Sequence, residues 1–548
     1  MSLADLEAKY FESGPVVHSG NTEVTPIVDG VNYFFAIHDR MAQTTGAGDA
    51  IYILGWMFDA YIDILRPPQA DPPAVPPPPG SESLGLTLAG KAAAGVDVRI
   101  VLNAAAFVEL NCFGRDRDAA DLLRKITHAG TSGISTPLAF SVLLDWSGAW
   151  SGSHHQKTTI VKAGNDMWAF VGGMDYWYNR IDIAPHNQLR TPSLQRWGWH
   201  DVGCMLHGEA VKDIWENFRL RWREARTLPS SLLGQVSNPA ISTDPEAAPD
   251  LPVPAPTVSQ SVQVLRSRFR VKSPRFWMRE TPWDGPVGSR GGQYEVYKTL
   301  RKAIRAATTY IFIEDQFCLD SYWVEAGGAG KISADANVGA VTTPNLFMSL
   351  FPELEAAAQR NVRLIFVTSG RADPDDLFGG GDVINDKLNP QLHTLLANLK
   401  GTGHDSNLAV YRIDNVTVHA KLIIIDDEFA SIGSANMHSR SMMGVDDELQ
   451  VTFVEEIGQT SDVKIIRDLR VNLWAEHLSL VSLPDTVLTP LQVLPPRKID
   501  DPPARCLSLG IWRTEWLPDN TDQGTWRDLD KPPGFAPTER ILTQVLDG

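Results

Sequence analysis

The sequence lacks long apolar runs and paired cysteines. None of its hydrophobic stretches approaches the roughly 18 to 20 residues of a bilayer-spanning helix, and the polar start over 1–10 is unlike a secretory signal peptide. Its four cysteines, Cys112, Cys204, Cys318 and Cys506, lie far apart and form no C-x-x-C pair, which predicts neither a zinc site nor a disulfide framework. We expect a soluble protein without a transmembrane segment, either cytoplasmic or secreted with a signal that is absent here.

Positive charge is also scarce. The chain has 49 Lys and Arg against 66 Asp and Glu, a formal net charge of -17 at pH 7. Binding dominated by nucleic-acid phosphates needs a basic face, so we expect no nucleic-acid partner. A length of 548 residues is too great for one core and predicts at least two large domains.

The chain contains an internal repeat. An amphipathic helix precedes an apolar strand in each half, and a second helix and strand follow. The repeated units are 31–59 with 294–317 and 88–102 with 354–367. His155 and His419 are 264 residues apart, as are Val98 and Val362. This alternation of strands and helices predicts an α/β fold of two similar sandwich lobes with mixed or mostly parallel sheets.

The composition between the two halves predicts the domain boundaries. A segment rich in Pro, Ser and Ala without periodicity is typical of a linker. We predict an N-terminal lobe over 1–226, a Pro-rich linker over 227–260, a C-terminal lobe over 261–483 and a tail over 484–548 that packs on the lobes.

Each half carries one H-x-K unit beside a β-branched or aliphatic run. Residues i and i+2 of a strand point to the same side, so His155 lies with Lys157, and His419 with Lys421. A lysine can neutralise a phosphoryl oxygen while a histidine attacks phosphorus or transfers a proton. A single H-x-K unit could arise by chance, whereas two at a fixed offset favour a phosphate site.

Four further polar residues recur at matching places. Asp175 and Asn436 follow the glycine turns G-G-M-D and G-S-A-N, although Asp and Asn also favour turns for local reasons. Asp201 and Glu448 lie in equivalent strands, and a histidine that transfers protons needs an acceptor at its second nitrogen. The alternative for both carboxylates is a solvated charge at a strand edge.

The two H-x-K units differ five residues after the lysine. Asp426 occupies this position in the second unit, and Lys162 occupies it in the first. In a regular strand Lys162 points away from the face of His155 and Lys157, so we predict a structural contact for it. Asp166 is close enough in sequence to supply a local negative charge.

These motifs resemble the phospholipase D superfamily, whose mark is H-x-K-x-x-x-x-D twice. Beside the two H-x-K units, the resemblance rests on G-G-M-D, G-S-A-N, W-H-D-V and Y-I-F-I-E-D-Q-F, and it covers about residues 25–480. V-G-G-M-D, V-Q-V-L-R-S and F-R-L-R-W are similar to true phospholipases D. The resemblance implies a minimal catalytic unit of the bacterial type with eukaryotic-like motifs.

The resemblance also implies two lobes about a pseudo-twofold axis with one active site between them. His155 would be the nucleophile that forms a covalent phosphohistidine, and His419 the acid and base. Asp201 and Glu448 would orient the two histidines, in either pairing, and Asp426 completes the implied catalytic set. Phosphoryl oxygens would be bound by Lys157, Lys421, Asn436 and Asp175.

The implied reaction is hydrolysis of the distal phosphodiester bond of glycerophospholipids such as phosphatidylcholine, with transphosphatidylation. Two lysines can neutralise the developing charge, so neither a metal nor another cofactor is expected in catalysis. The expected partners are a phospholipid at a membrane or micelle surface and a water or alcohol acceptor, and the expected state is a monomer. The alternatives are a superfamily nuclease, a phosphatidyl transferase, or a phosphate- or lipid-binding protein that has lost catalysis.

Overall fold

A computed structural model describes the greater part of the chain. The described residues are 1–60, 62–64, 83–103, 140–145, 153–177, 180–184, 186, 198–227, 243–252, 259–268, 293–316, 348–369, 390–413, 416–442, 446–456, 464–477, 513–517 and 525–528. Of the four cysteines, Cys204 is a free thiol buried in the core, and the other three lie outside the described residues.

Nine α-helices form in these segments. They are α1 (Leu3–Tyr10), α2 (Gly30–Ala42), α3 (Leu84–Ala93), α4 (Val211–Thr227), α5 (Glu295–Ala306), α6 (Phe351–Gln359), α7 (Pro390–Thr402), α8 (Ser439–Met442) and α9 (Ile465–His477). A 3-10 turn covers Asp405–Asn407. Among the described helices, none combines the length and apolarity that crossing a membrane requires.

The first sheet has seven strands, and its order is not the chain order. Across the sheet these are β2 (Thr22–Val28), β9 (Val202–Gly208), β7 (Asp166–Val171), β6 (Thr158–Ala163), β3 (Ala50–Gly55), β4 (Asp97–Asn103) and β5 (Phe140–Asp145). Strands β3, β4 and β5 are mutually parallel, and the remaining pairings are antiparallel.

The second sheet repeats this order and extends it at both edges. Across it run β1 (His18–Ser19), β10 (Gln260–Arg268), β18 (Glu448–Glu455), β17 (Phe429–Gly433), β16 (Lys421–Ile425), β12 (Tyr310–Asp315), β13 (Arg363–Ser369), β14 (Leu408–Ile413), β19 (Arg513–Leu517) and β20 (Thr525–Asp528). The short β11 (Gln293–Tyr294) pairs with β10. Strands β12, β13 and β14 are parallel, as β3, β4 and β5 are. The predicted α/β class with mixed sheets is confirmed.

A small parallel ladder connects the two halves. Strand β8 (Gly198–His200) pairs with β15 (Val416–Val418), so a segment of the first half runs beside the start of the second H-x-K unit. This pairing matters for the site because Asp201 and His419 each follow one of the two strands directly.

The hydrophobic residues form layers around and between the sheets. One large core contains side chains of both sheets with Trp222 of α4 and Trp474 of α9. Two outer cores place α2 and α3 on the first sheet, and α5, α6 and α7 on the second. Strands covered on both faces are nearly continuous in apolar residues, which explains the run Leu-Ile-Ile-Ile that follows Lys421 in β16.

The first described helix packs on the second sheet, and the last described strands extend it. Helix α1 buries Leu6 and Tyr10 in the core of that sheet, and β1 pairs with β10. The predicted boundary assigns these residues to the first lobe. The predicted tail contributes β19 and β20, which extend the same sheet beyond β14.

Candidate active site

The two H-x-K units lie at corresponding ends of equivalent strands. His155 and Lys157 directly precede β6, while His419 precedes β16, which begins at Lys421. The backbone N–H of His155 donates to the carbonyl of Asp447 at 3.0 Å, and that of His419 donates to the carbonyl of His200 at 2.7 Å. Each histidine is therefore anchored by the opposite half of the chain.

The two imidazoles are oriented by carboxylates in the same crossed way. Nδ1 of His155 lies 3.1 Å from Oε2 of Glu448, and Nδ1 of His419 lies 2.7 Å from Oδ2 of Asp201. The sequence allowed either pairing, and the structure selects this one. Because Nδ1 is engaged in each ring, Nε2 is the nitrogen available to a ligand.

The adjacent His154 has a different environment. Its Nδ1 lies 2.8 Å from Asp447, and its Nε2 lies 3.2 Å from Asp145. Arg221 forms ion pairs with both of these carboxylates. His154 therefore belongs to a buried ion-pair network, which separates its role from that of His155.

Glycine turns shape the carboxylate sites. A Cβ atom added at Gly173 would lie 2.6 Å from Oδ2 of Asp201 and 3.0 Å from Nδ1 of His419, so only glycine leaves room for this pair. The equivalent residue in the other half is Ser434, whose hydroxyl donates to Oε2 of Glu448 at 2.6 Å. Ser434 was not among the predicted site residues, although its place in G-S-A-N was a usable signal.

The two lysine side chains have matching positions. Nζ of Lys157 donates to the carbonyl of His155 at 2.8 Å, and Nζ of Lys421 donates to the carbonyl of His419 at 2.6 Å. Lys421 also donates to Oε1 of Gln316 at 3.3 Å. Both ammonium groups are buried, so their charges act through a medium of low polarity.

Two aromatic residues that were not among the predicted site residues contact the histidines. Trp56 lies edge-on to His155 with ring centroids 5.6 Å apart, and the ammonium of Lys157 lies 5.1 Å from its ring centroid. Trp199 lies 4.6 Å from the His419 ring. Such contacts are invisible in single-sequence patterns because tryptophans are more often core residues.

Asp175 and Asn436 occupy equivalent turns but have different partners. Oδ1 of Asp175 accepts the backbone N–H groups of Trp56 and Met57 at 2.9 Å, while its Oδ2 is 3.7 Å from Nζ of Lys157. The carboxylate therefore holds the turn after β3 and faces a cation. Asn436 is buried, and its Oδ1 has no hydrogen-bond partner among the described residues.

Asp426 is not brought into this cluster. Its carboxylate accepts backbone N–H groups of Thr308, Thr309 and Tyr310 at the start of β12, at 2.8 to 2.9 Å. The implied catalytic placement of Asp426 thus gives way to a structural one, because the four strand residues from Leu422 to Ile425 separate it from Lys421.

Lys162 occupies the same place in the first half with the opposite charge. Its ammonium donates to the carbonyl of Gly48, at the start of β3. The local carboxylate is that of Asp49, which accepts the N–H groups of Thr45 and Gly164. The contact predicted for Lys162 is therefore structural, but its acidic neighbour is Asp49, whereas Asp166 faces His207.

The electrostatics of the cluster favour neutral imidazoles. Burial, followed by the charge of the nearest lysine, holds the pKa of His155 and of His419 well below the usual range. The charge of Lys421 also lowers the pKa of His155, and that of Lys157 lowers the pKa of His419, so the two units lie within electrostatic reach of each other. Neutral imidazoles with Nδ1–H donated to a carboxylate have a free lone pair on Nε2.

The other ionisable groups respond to the same burial. Burial raises the pKa of Glu448 to about 8 and that of Asp201 to about 7, and it lowers the pKa of Lys421 to about 8. Two neutral imidazoles beside two cations suit reaction at a phosphodiester. One imidazole can attack phosphorus and the other can transfer a proton, while the cations neutralise the charge on the phosphoryl oxygens.

Comparisons with known proteins identify a matching family and relatives of this chain. A family profile described as Phospholipase D matches residues 188–327 and 385–509. Phospholipase D alpha 2 of Oryza sativa subsp. japonica is 25% identical over 82% of this chain and 64% of its own length. Phospholipase D alpha 3 of Arabidopsis thaliana is 24% identical over 60% of this chain and 49% of its own length. The chain thus spans about half to two thirds of these relatives.

Solved structures with low sequence identity also match. A phosphatidylserine synthase of Haemophilus influenzae Rd KW20 aligns over 86% of this chain and 96% of its own, with 9% identity and a TM-score of 0.46. A phospholipase D family member, Nuc from Salmonella typhimurium, covers 40% of this chain and 95% of its own, with 16% identity and a TM-score of 0.22.

Proposed function

Because the chain belongs to the phospholipase D superfamily, we propose that it cleaves the distal phosphodiester bond of glycerophospholipids such as phosphatidylcholine. The products are phosphatidate and a free alcohol, and an added alcohol replaces water to give a new phospholipid. The observation that carries this proposal is the crossed pair of histidines, each held at Nδ1 by a carboxylate and each beside a buried lysine.

The first step is attack by Nε2 of His155 on phosphorus. The N–P bond forms as the P–O bond to the head-group alcohol breaks, and His419 gives its Nε2 proton to the leaving oxygen. The bound phosphodiester is anionic, so it favours the protonated form of His419 for this step. Lys157 and Lys421 neutralise the phosphoryl oxygens, and Asn436, which is buried with an unpartnered Oδ1 among the described residues, is the further phosphate ligand of this proposal.

In the second step His155 is the leaving group at phosphorus, and His419 acts as the base. Neutral His419 takes a proton from water or from an acceptor alcohol, whose oxygen attacks phosphorus while the N–P bond breaks. This releases phosphatidate or the exchanged lipid and restores His155. Glu448 and Asp201 keep each ring in the tautomer with Nδ1–H, which leaves Nε2 to react throughout.

The proposed roles of the two histidines can be separated with an activated substrate. A phosphatidyl ester of p-nitrophenol has a leaving group that needs no acid, so His419→Asn should form the first adduct and fail to hydrolyse it. Mass spectrometry of the peptide with residue 155 should find the phosphatidyl group, with His207→Asn as a control that turns over normally. An adduct that survives His155→Asn would reverse the assignment.

The lipid substrate is tested by incubating phosphatidylcholine vesicles with the protein and ethanol. We expect phosphatidylethanol beside phosphatidate and choline, and loss of all three with His155→Asn. Turnover of an oligonucleotide phosphodiester with no turnover of any phospholipid would overturn the proposal in favour of a nuclease. Binding of the vesicles without turnover would indicate a protein that has lost catalysis.

A further inference from the structure

A second cluster of histidines and carboxylates is buried beside the active site and takes no part in the proposed reaction. Asp29 follows β2, His186 lies in a connecting segment, and His200 ends β8. Glu476 lies in the last turn of α9 and reaches them from the second half of the chain. One ligand atom of each of the four lies within 4.8 Å of the others.

The spacing of these atoms matches a tetrahedral metal site. Nδ1 of His200 is 3.1 Å from Oδ1 of Asp29 and 3.1 Å from Oε1 of Glu476. Nε2 of His186 is 3.2 Å from Oε1 of Glu476 and 3.8 Å from Oδ2 of Asp29. Tetrahedral zinc with bonds of about 2.0 to 2.1 Å requires its ligand atoms to be about 3.3 Å apart.

The outer contacts are also those of metal-bound histidines. Nδ1 of His186 lies 3.0 Å from Oδ2 of Asp182, and Nε2 of His200 lies 3.0 Å from Oε2 of Glu314. A histidine that binds a metal through one nitrogen commonly donates the N–H of the other to a carboxylate, which fixes its tautomer. Glu314 is fixed in turn by Nε2 of His477 at 2.7 Å.

Without a cation, the same geometry would be electrostatically demanding. Each of the two imidazoles has a carboxylate oxygen at both nitrogens, whereas a neutral imidazole can donate only one N–H. Buried charges are stable only when paired and hydrogen-bonded. In addition, Oδ1 of Asp182 is buried without a hydrogen-bond partner among the described residues.

We propose that Asp29, His186, His200 and Glu476 bind a divalent transition metal of the zinc type. Two imidazoles and two carboxylates suit zinc, whereas calcium takes six to eight oxygen ligands. The ion connects α9 to the first half of the chain. It also fixes His200, whose carbonyl accepts the N–H of His419 and whose neighbour Asp201 orients the same ring, so it positions the active site without touching the phosphate.

The metal content of the purified, untagged protein tests this site. After gel filtration, elemental analysis should find about one zinc per chain, and a chelator should remove it and lower Tm. Adding Zn²⁺ back should restore Tm, while Ca²⁺ and Mg²⁺ should leave it unchanged. Metal content does not depend on turnover, so the result is independent of the proposed lipid reaction.

Two variants and a control separate metal binding from a network of ion pairs. Glu476→Gln should lose the bound zinc, and Asp182→Asn, which keeps all four ligands, should weaken zinc affinity about 10- to 100-fold. His207→Gln, which removes a histidine outside the cluster, should retain it. Protein without stoichiometric metal, whose Tm does not respond to Zn²⁺ or chelator, would overturn the proposal.

Discussion

His155 and His419 owe their orientation to residues that are distant in sequence. The single-sequence pattern identified both histidines through their constant offset, and both candidate carboxylates through their place in equivalent strands. It could not select the pairing, since one histidine and one carboxylate in each half allow a pairing within each half as well as one between the halves. The pairing depends on the contact between the two halves, which no local periodicity encodes.

We expect the protonation of Lys421 to set the alkaline limit of the proposed activity. Burial lowers its pKa to about 8, so the free enzyme loses this positive charge above that pH. We expect kcat/KM to fall as pH rises through about 8. Lys421→Arg, whose guanidinium stays protonated, should lower the rate but move this limb to higher pH. An unchanged alkaline limb in the variant would show that another group titrates there.

Lys162 offers a second test at the residue scale. Lys162→Asp would place a carboxylate near that of Asp49 and remove the bond to the Gly48 carbonyl, so we expect a loss of about 0.5 to 1 kcal/mol in unfolding free energy. Activity should stay within about twofold, because the side chain faces away from the phosphate site. An increase by orders of magnitude would contradict the structural role.

At the scale of elements, the turns after β7 and β17 decide how closely the carboxylates approach the rings. Sequence reasoning identified G-G-M-D and G-S-A-N as turns but assigned their function to Asp175 and Asn436. The turn residues that contact the carboxylates are instead Gly173, which adjoins Asp201, and Ser434, which donates to Glu448. Spacing along a strand predicts which side chains lie on the same face of the sheet. The need for a glycine becomes evident only when the atoms that a Cβ would contact are known.

Gly173→Ala should separate Asp201 from His419. The new methyl group would lie 2.6 Å from the carboxylate, which must move by several tenths of an ångström or more. A misplacement of this kind can lower kcat/KM by about 100-fold. Gly90→Ala is the matched control, since an added Cβ there meets no atom within 4 Å. Wild-type activity of Gly173→Ala in the lipid assay would show that the pair tolerates displacement.

At the scale of the whole molecule, seven strands of each sheet have the same order, and β1, β19 and β20 extend the second sheet at its edges. The repeat in the sequence predicted the paired architecture. The repeat could not predict where α1 packs, because an amphipathic helix indicates that one of its faces is buried but not which surface covers that face. Its contact with the second sheet is set by Tyr10, which stacks on Phe429 at 5.2 Å and donates to Glu428 at 2.7 Å.

Leu6→Ala tests whether α1 is an integral part of that second sheet. Leu6 is fully buried, so its truncation should lower the unfolding free energy by about 2 to 5 kcal/mol, measured as a lower urea midpoint. Leu86→Ala, at a side chain that is 39% exposed, is the control and should change it by less than about 0.5 kcal/mol. An unchanged urea midpoint for Leu6→Ala would mean that α1 packs only loosely on the sheet.

The stereochemical course at phosphorus tests the central claim, a covalent intermediate in one site shared by both halves. The wild-type protein is given ethanol and a phosphatidylcholine analogue with a chiral phosphorothioate, so that the thiophosphatidyl group is transferred to the alcohol. The configuration of the product at phosphorus is determined by ³¹P NMR. Attack by His155 followed by attack by the alcohol inverts phosphorus twice, so we predict retention. Inversion would show a single direct displacement and would contradict the account.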